Sequence, residues 1–193
     1  MPSPEPQNND VETGVGELNQ AQQGEPARDN TVTRPSQVSA AFVLIKPDAV
    51  ERGLTGAVLD RLARARLHLV ARKWVIVTPE LAERHYEMKD RSHKRRYAPL
   101  AYAKQYLVYR RVLAMVWSGP QALSRIRQVV GDGSDPASCK AGTVRRDFGV
   151  DTLEKAESER RAVRNLIHAS RSISSATREI ELWFPELNGS PEK

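Results

Sequence analysis

The sequence predicts an α/β sandwich, with helices packed on a four-stranded antiparallel sheet in the split βαβ or ferredoxin-like arrangement. Two observations carry that prediction. Short apolar runs of strand length alternate with longer stretches whose apolar residues recur every three or four positions. The alternation gives two adjacent strand–helix–strand units, and no internal repeat of solenoid spacing competes with it.

Each element has its own signal. Residues 40–46 form a short apolar run ended by Pro47, the pattern of a buried strand. Leu54, Val58, Leu62 and Ala65 then recur at helical spacing among charged residues. Residues 69–77 are rich in β-branched side chains and read as a second strand. Thr78 followed by Pro79 is an N-cap with proline at the first helical position, opening a helix with Leu81, His85 and Met88 on one face. Residues 90–96 are polar and basic, and residues 97–107 are helical again. Residues 112–117 are the third strand, and Gly119-Pro120 is expected to open a helix through Leu123, Ile126 and Val130 that stops at Gly131. Residues 132–146 read as a long loop full of turn residues. Asn165-Leu-Ile-His168 is a short fourth strand, and Ser172 caps a last helix carrying Ala176, Ile180, Trp183 and Phe184.

Composition divides the chain in two. Residues 1–38 hold five of the twelve prolines, no aromatic residue, and two Arg against six Asp or Glu. Such a segment cannot bury enough apolar surface to offset its ordering entropy, so a disordered acidic tail is expected, with residues 39–193 as the folded domain. The domain keeps 28 Lys and Arg against 18 Asp and Glu, a basic balance that suits a polyanionic partner. No apolar run approaches the length of a membrane span, and the acidic N-terminus resembles neither a signal nor a transit peptide. The single cysteine, Cys139, excludes a disulfide framework and a cysteine-based zinc site, and a cytoplasmic protein with no membrane partner is expected.

The glycine-rich phosphate cradles are missing, so a nucleotide site here has to hold phosphates with side chains. Lys46, Arg127, Lys140, Arg145 and Arg146 are candidates, because guanidinium groups grip phosphate oxygens in pairs. Four histidines are available: His68 at a turn, His85 on a helix face, His93 in the basic stretch and His168 at a strand end. A strand end beside small residues suits a nucleophile or base, although position alone describes a structural histidine equally well.

The motifs narrow the choice. Phe42-Val-Leu-Ile-Lys-Pro-Asp-Ala-Val50, His85-Tyr86, Ala114-Met-Val-Trp117, the loop from Asp135 to Arg145, and Asn165-Leu-Ile-His168-Ala-Ser-Arg-Ser172 follow one another in the order of the nucleoside diphosphate kinase family, which residues 40–187 resemble. The resemblance implies a ping-pong transfer of a γ-phosphoryl group between nucleoside triphosphates and diphosphates through a phosphohistidine. By that resemblance His168 is the nucleophile and Glu179 the carboxylate that orients it. Lys46 and Tyr86 touch the transferring group or the sugar hydroxyl, Arg127, Ser134 and Arg145 hold phosphates, and Asn165 meets the ribose. It further implies Mg²⁺ carried on the nucleotide phosphates with no dedicated metal ligands, and a homo-oligomer.

Several departures from the family pattern stand out. Arg171 occupies the position of an aspartate. About six extra residues lie between Asp90 and Val112, where the base-stacking aromatic has no clear counterpart except His93 or Tyr97. About ten more, residues 151–162, precede the active-site strand, with Glu157 and Arg161 spaced for a short exposed helix. Gly133 lengthens the phosphate loop by one. Asp151, Glu154 or Glu157 is the expected partner for Arg171. The alternative these departures raise is a weak or inactive relative that binds nucleotides or partners. Nucleic-acid binding through residues 93–96 and 160–164 lacks any reader motif and is not expected.

Overall fold

Two layers of helices enclose the sheet because its two inner strands are apolar on both faces. The structure, a computed structural model, describes residues 38–90 and 97–187. Of the tail expected over residues 1–38, residues 1–37 lie outside the described residues and Val38 opens the first strand; the candidate His93 also lies outside them, and of Tyr97 only the backbone is described. In chain order the strands are β1 (Val38–Ile45), β2 (His68–Ile76), β3 (Arg111–Pro120) and β4 (Ile167–Ala169). The helices are α1 (Pro47–Glu51), α2 (Thr55–Ala63), α3 (Pro79–Asp90), α4 (Tyr97–Leu107), α5 (Ala122–Val130), α6 (Val144–Phe148), α7 (Leu153–Ser158) and α8 (Ile173–Trp183). All neighbouring strands are antiparallel, in the order β2-β3-β1-β4 of the ferredoxin-like arrangement.

The period of two along β1 and β3 sorts side chains into two cores. Ala41, Val43, Ile45, Leu113, Met115 and Trp117 face α2 and α5, where Val58, Leu62, Ile126 and Val130 complete one cluster. Phe42, Leu44, Val112, Ala114 and Val116 face α3, α4 and α8, meeting Ala82, Tyr86, Leu107, Trp183 and Phe184. This explains why both strands read as unbroken apolar runs. β2, at one edge, half-buries alternate residues and leaves Val70, Trp74 and Ile76 exposed.

The helix expected from Gly119 begins later. β3 continues through Pro120, paired with Val38, and the chain turns at Gln121 in the left-handed region before α5. Gly119, at φ +148, lies against Leu67, whose Cδ2 would sit 2.8 Å from an added Cβ. The expected loop at 132–146 also carries structure: a 3-10 turn at Pro136–Ser138 capped by Asp135, and α6 capped by Thr143. Ser172 caps α8 as the sequence indicates, in a reciprocal arrangement with Ser175. No helix among the described residues is long and apolar enough to cross a membrane.

Candidate active site

β4 is short because the backbone before it is bent. Leu166 lies at φ 68, a conformation unfavourable for a branched side chain, and Ile167 N donates to Asn165 O at 2.7 Å. Buried Asp48 holds this bend: Leu166 N donates to its Oδ2 at 2.9 Å, and the Tyr106 hydroxyl donates to its Oδ1 at 2.9 Å. The chain can then extend again, pairing His168 with Leu44 of β1. The strand expected at 165–168 is thus displaced to Ile167–Ala169.

His168 is oriented from below. Its Nε2 lies 3.0 Å from Glu179 Oε1, and the Ser170 hydroxyl donates to Glu179 Oε2 at 2.5 Å. A carboxylate only accepts, so Nε2 carries the proton and the ring's in-plane lone pair is on Nδ1. Glu179 is 1% exposed, on the face of α8 that also buries Ala176 and Trp183. Beneath lies a layer of rings: His85 is edge-on to His168 at 5.1 Å, and Trp183 Nε1 donates to His85 Nδ1 at 3.2 Å. His85, His168 and Glu179 come close enough to suggest a cation site. The ring nitrogens argue otherwise, since His85 Nδ1 already accepts from Trp183 and His168 Nε2 donates to Glu179. Tyr86 is buried beside Glu179, and burial followed by that carboxylate pushes its hydroxyl pKa far upward.

A cavity of about 620 Å³ opens over this layer, lined by Lys46, Tyr86, Ser134, Arg145, Asn165 and His168. Lys46 Nζ donates to Asn165 Oδ1 and Asn165 Nδ2 to the Ser134 carbonyl, both at 2.7 Å. Arg145 donates to Gly131 O at 3.1 Å, to Gly133 O and to Ile167 O at 2.7 Å, while its buried Nε has no partner among the described residues. Burial holds its pKa down to about 10, with the charges of Arg171 and Arg127 acting in the same direction. A guanidinium this desolvated, with a donor unused, favours an anion.

Arg127 is not part of the cavity wall: it pairs with Asp132 at the end of α5. Lys140 and Arg146 are exposed and also outside it, and Arg146 donates to Ala137 O. Arg171 is exposed and forms no ion pair among the described residues. Of the three partners expected for it, Asp151 is taken by Arg161 and by the Arg164 amide, and Arg171 pairs with neither Glu154 nor Glu157 among the described residues. Cys139 is buried, its thiol donating to Asp132 O at 3.0 Å, and burial raises its pKa.

The rest of the wall comes from two elements: in α4 the sequence offers only Tyr97, as a stacking aromatic, and it gives the residues around α7 no role in the cavity. α4 contributes Tyr102 and Tyr106, and the segment containing α7 contributes Leu153, Ala156, Glu157, Arg160 and Arg161. Ser170, Asp48 and Tyr106 were likewise unassigned. The first two sit inside the motifs around His168 and Lys46, which was a usable signal, whereas nothing local marks Tyr106.

A ferredoxin-like sheet that presents an oriented histidine, a lysine and a desolvated arginine to one cavity is the framework of a phosphotransferase acting on nucleotides. The nucleoside diphosphate kinase family profile matches residues 39–188. A nucleoside diphosphate kinase of Symbiobacterium thermophilum is 41% identical over 151 residues, covering 78% of this chain and 89% of that protein. Nucleoside diphosphate kinase 1 of Zea mays is 38% identical, covering 77% and 89%. Among solved structures, the Borrelia burgdorferi nucleoside-diphosphate kinase with bound vanadate and ADP superposes with a TM-score of 0.74 at 29% identity, over 81% of this chain and 92% of that one. The NDP kinase of Pyrobaculum aerophilum gives 0.68 at 31% identity, over 76% and 96%. The chain belongs to the nucleoside diphosphate kinase family and is a nucleotide-binding phosphotransferase.

Proposed function

We propose that this chain moves the terminal phosphoryl group of a nucleoside triphosphate to a nucleoside diphosphate through a phosphohistidine at His168. The observation that carries the reading is the Nε2 contact with Glu179, which leaves Nδ1 as the nucleophilic nitrogen. The Nδ1 lone pair forms the N–P bond as the bond from the γ-phosphorus to the bridging oxygen breaks, and that oxygen keeps the electron pair on the departing diphosphate. A β-phosphate oxygen of the second nucleotide then attacks phosphorus and returns the pair to Nδ1.

Glu179 and Ser170 hold the ring and offset the charge that builds on it. Lys46 and Arg145 neutralise phosphate oxygens, and Tyr86 approaches the transferring group. Asn165 positions Lys46 and Ser134 while meeting the ribose. Arg127 exchanges Asp132 for phosphate when nucleotide binds. Such chemistry consists mostly of positioning and charge neutralisation. Mg²⁺ fits as a passenger: Glu157 is the single carboxylate among the described lining residues, so the ion is held through phosphate oxygens, where it neutralises their charge. The cytoplasm, which supplies free nucleotides with Mg²⁺, suits this activity, and neither a nucleic acid nor a membrane is needed for it.

We further infer a homo-oligomer. Among the described residues β2 presents an unpaired backbone edge, and its Val70, Trp74 and Ile76 are 44%, 44% and 66% exposed. A second copy covering that strand satisfies both its hydrogen bonds and its apolar face.

Incubation with γ-labelled ATP and Mg²⁺ tests the catalytic reading. The protein takes up label and gives it to added GDP. Label that never enters the protein, or enters and is not released to a diphosphate, contradicts it.

A further inference from the structure

The extra residues before β4 build a rigid wall whose position suggests a use. Asp151 starts it, buried, with its two carboxylate oxygens 2.6 and 2.8 Å from the Arg161 guanidinium and a third bond from Arg164 N at 2.8 Å. Thr152 caps α7, and Leu153 N reaches Asp135 of the phosphate loop at 3.3 Å. Ala156 is buried. The segment is therefore anchored at both ends and faces α4 across the cavity.

Among the described residues, phosphates placed at His168, Lys46 and Arg145 direct the nucleoside to the space between this wall and α4. Tyr102 offers an aromatic surface there. Arg160 lines both the main cavity and a smaller one of about 170 Å³ that continues past it between the wall and α4. Its backbone is left-handed, φ 49, and among the described residues its guanidinium has no ion pair, whereas neighbouring Arg161 has two. An arginine held on a fixed wall without a carboxylate partner is a donor pair seeking two acceptors.

We propose that Arg160 reads the base, donating to the O6 and N7 acceptors of a guanine stacked on Tyr102, so that this chain prefers guanine over adenine nucleotides. Adenine presents an amino donor where guanine has O6, and meets the same guanidinium with one bond lost. The bonds of Asp151 and Thr152 fix the backbone that carries Arg160, which sets where its guanidinium can reach. The inference depends on the phosphotransfer reading above for the placement of the phosphates.

The test is single-turnover phosphorylation of the full chain by GTP, ITP and ATP at equal Mg²⁺, together with binding of GDP and ADP followed by calorimetry. The parent reacts with GTP about tenfold faster than with ATP in kcat/KM, and GDP binds about tenfold more tightly than ADP. ITP, which keeps O6 and N7 but lacks the 2-amino group, behaves like GTP. Arg160→Gly, which suits the positive φ, brings both ratios close to one, and Arg160→Lys lowers them as well because the fork is lost. Equal rates for GTP and ATP in the parent, ITP behaving like ATP, or a lysine variant that keeps the full ratio each overturn the base-reading proposal while leaving phosphotransfer intact. Failure of all three triphosphates to phosphorylate the protein instead defeats the catalytic reading, and the calorimetric ratio still decides the base preference.

Discussion

The two ends of the cavity are built differently. At the phosphate end, each side chain sits on or beside a regular element and is fixed by a partner buried in the sheet layer. His168 stands on β4 over Glu179 of α8, and Lys46 follows β1 and bonds Asn165. At the nucleoside end one wall is α4, which packs Leu107 into the second core, and the other is the segment around α7, which stands outside the sheet and is held by an ion pair and a cap. Chemistry that needs sub-ångström placement is mounted on the part of the fold that cannot shift without unpacking two cores. Of the two walls at the other end, only the segment around α7 is an attachment, since α4 reaches the His168 strand through Tyr106 and Asp48.

Substitutions at the two ends separate these roles, and the largest effect belongs to the phosphate end. Glu179→Gln keeps the shape but removes the charge facing His168, and kcat falls by roughly 10²-fold with KM little changed. An equal loss in a variant of the nucleoside wall would erase the contrast. Rapid-quench measurement of the phosphorylated protein reads it directly.

Asp151→Asn at the other end acts on stability first. Its neighbour Arg161 holds the Asp151 pKa down to about 2 from 3.8. A depressed carboxylate pKa stabilises the fold above the unfolded value, and the contribution is lost as pH falls through the folded one. Asp151→Asn therefore lowers stability by about 2 kcal/mol near neutral pH, and the difference from the parent shrinks between about pH 4 and pH 2. Denaturant titrations at several pH values check both the size and the window.

Arg171→Asp gives a smaller change of mixed sign. Removing a positive charge from the N-terminal side of α8 adds about a few tenths of a kcal/mol to stability. It also takes one cation from beside Arg145, so KM for nucleotide rises a few-fold at low salt and the rise fades at high ionic strength. Removing residues 1–37, which precede β1, has the least effect: turnover stays within error, because a proline-rich acidic stretch without aromatics has little apolar surface to bury.

The same division governs what the sequence discloses. The core of the sheet is legible because β1 and β3 are apolar on both faces, and the ends of α3 and α8 because Thr78-Pro79 and Ser172 cap them. The phosphate end is legible as a series of motifs, down to the pairing of His168 with Glu179. Pairings between distant residues are not. Arg161 stands four residues after Glu157, yet its bonds go to Asp151 and Glu159, since Asp151 is brought beneath it by a turn that no periodicity reveals. Arg127 and Arg145 look alike in sequence, but only Arg145 is drawn into the cavity wall, by carbonyls on Gly131 and Ile167. The left-handed Leu166 shortens β4 because Asp48 and Tyr106, far away in the chain, fix the bend. Local pattern gives elements and motifs, and tertiary bonds decide which of two similar cations stands in the cavity wall.

The nitrogen that accepts phosphate tests the central claim most directly. After reaction with ATP and Mg²⁺ the protein should carry an acid-labile, base-stable phosphate on His168, and coupling of phosphorus to a ¹⁵N-labelled ring should place it on Nδ1. His168→Ala should carry none. Phosphate on Nε2, or undiminished labelling of His168→Ala, would contradict the account, because the Glu179 contact leaves Nε2 as the protonated nitrogen.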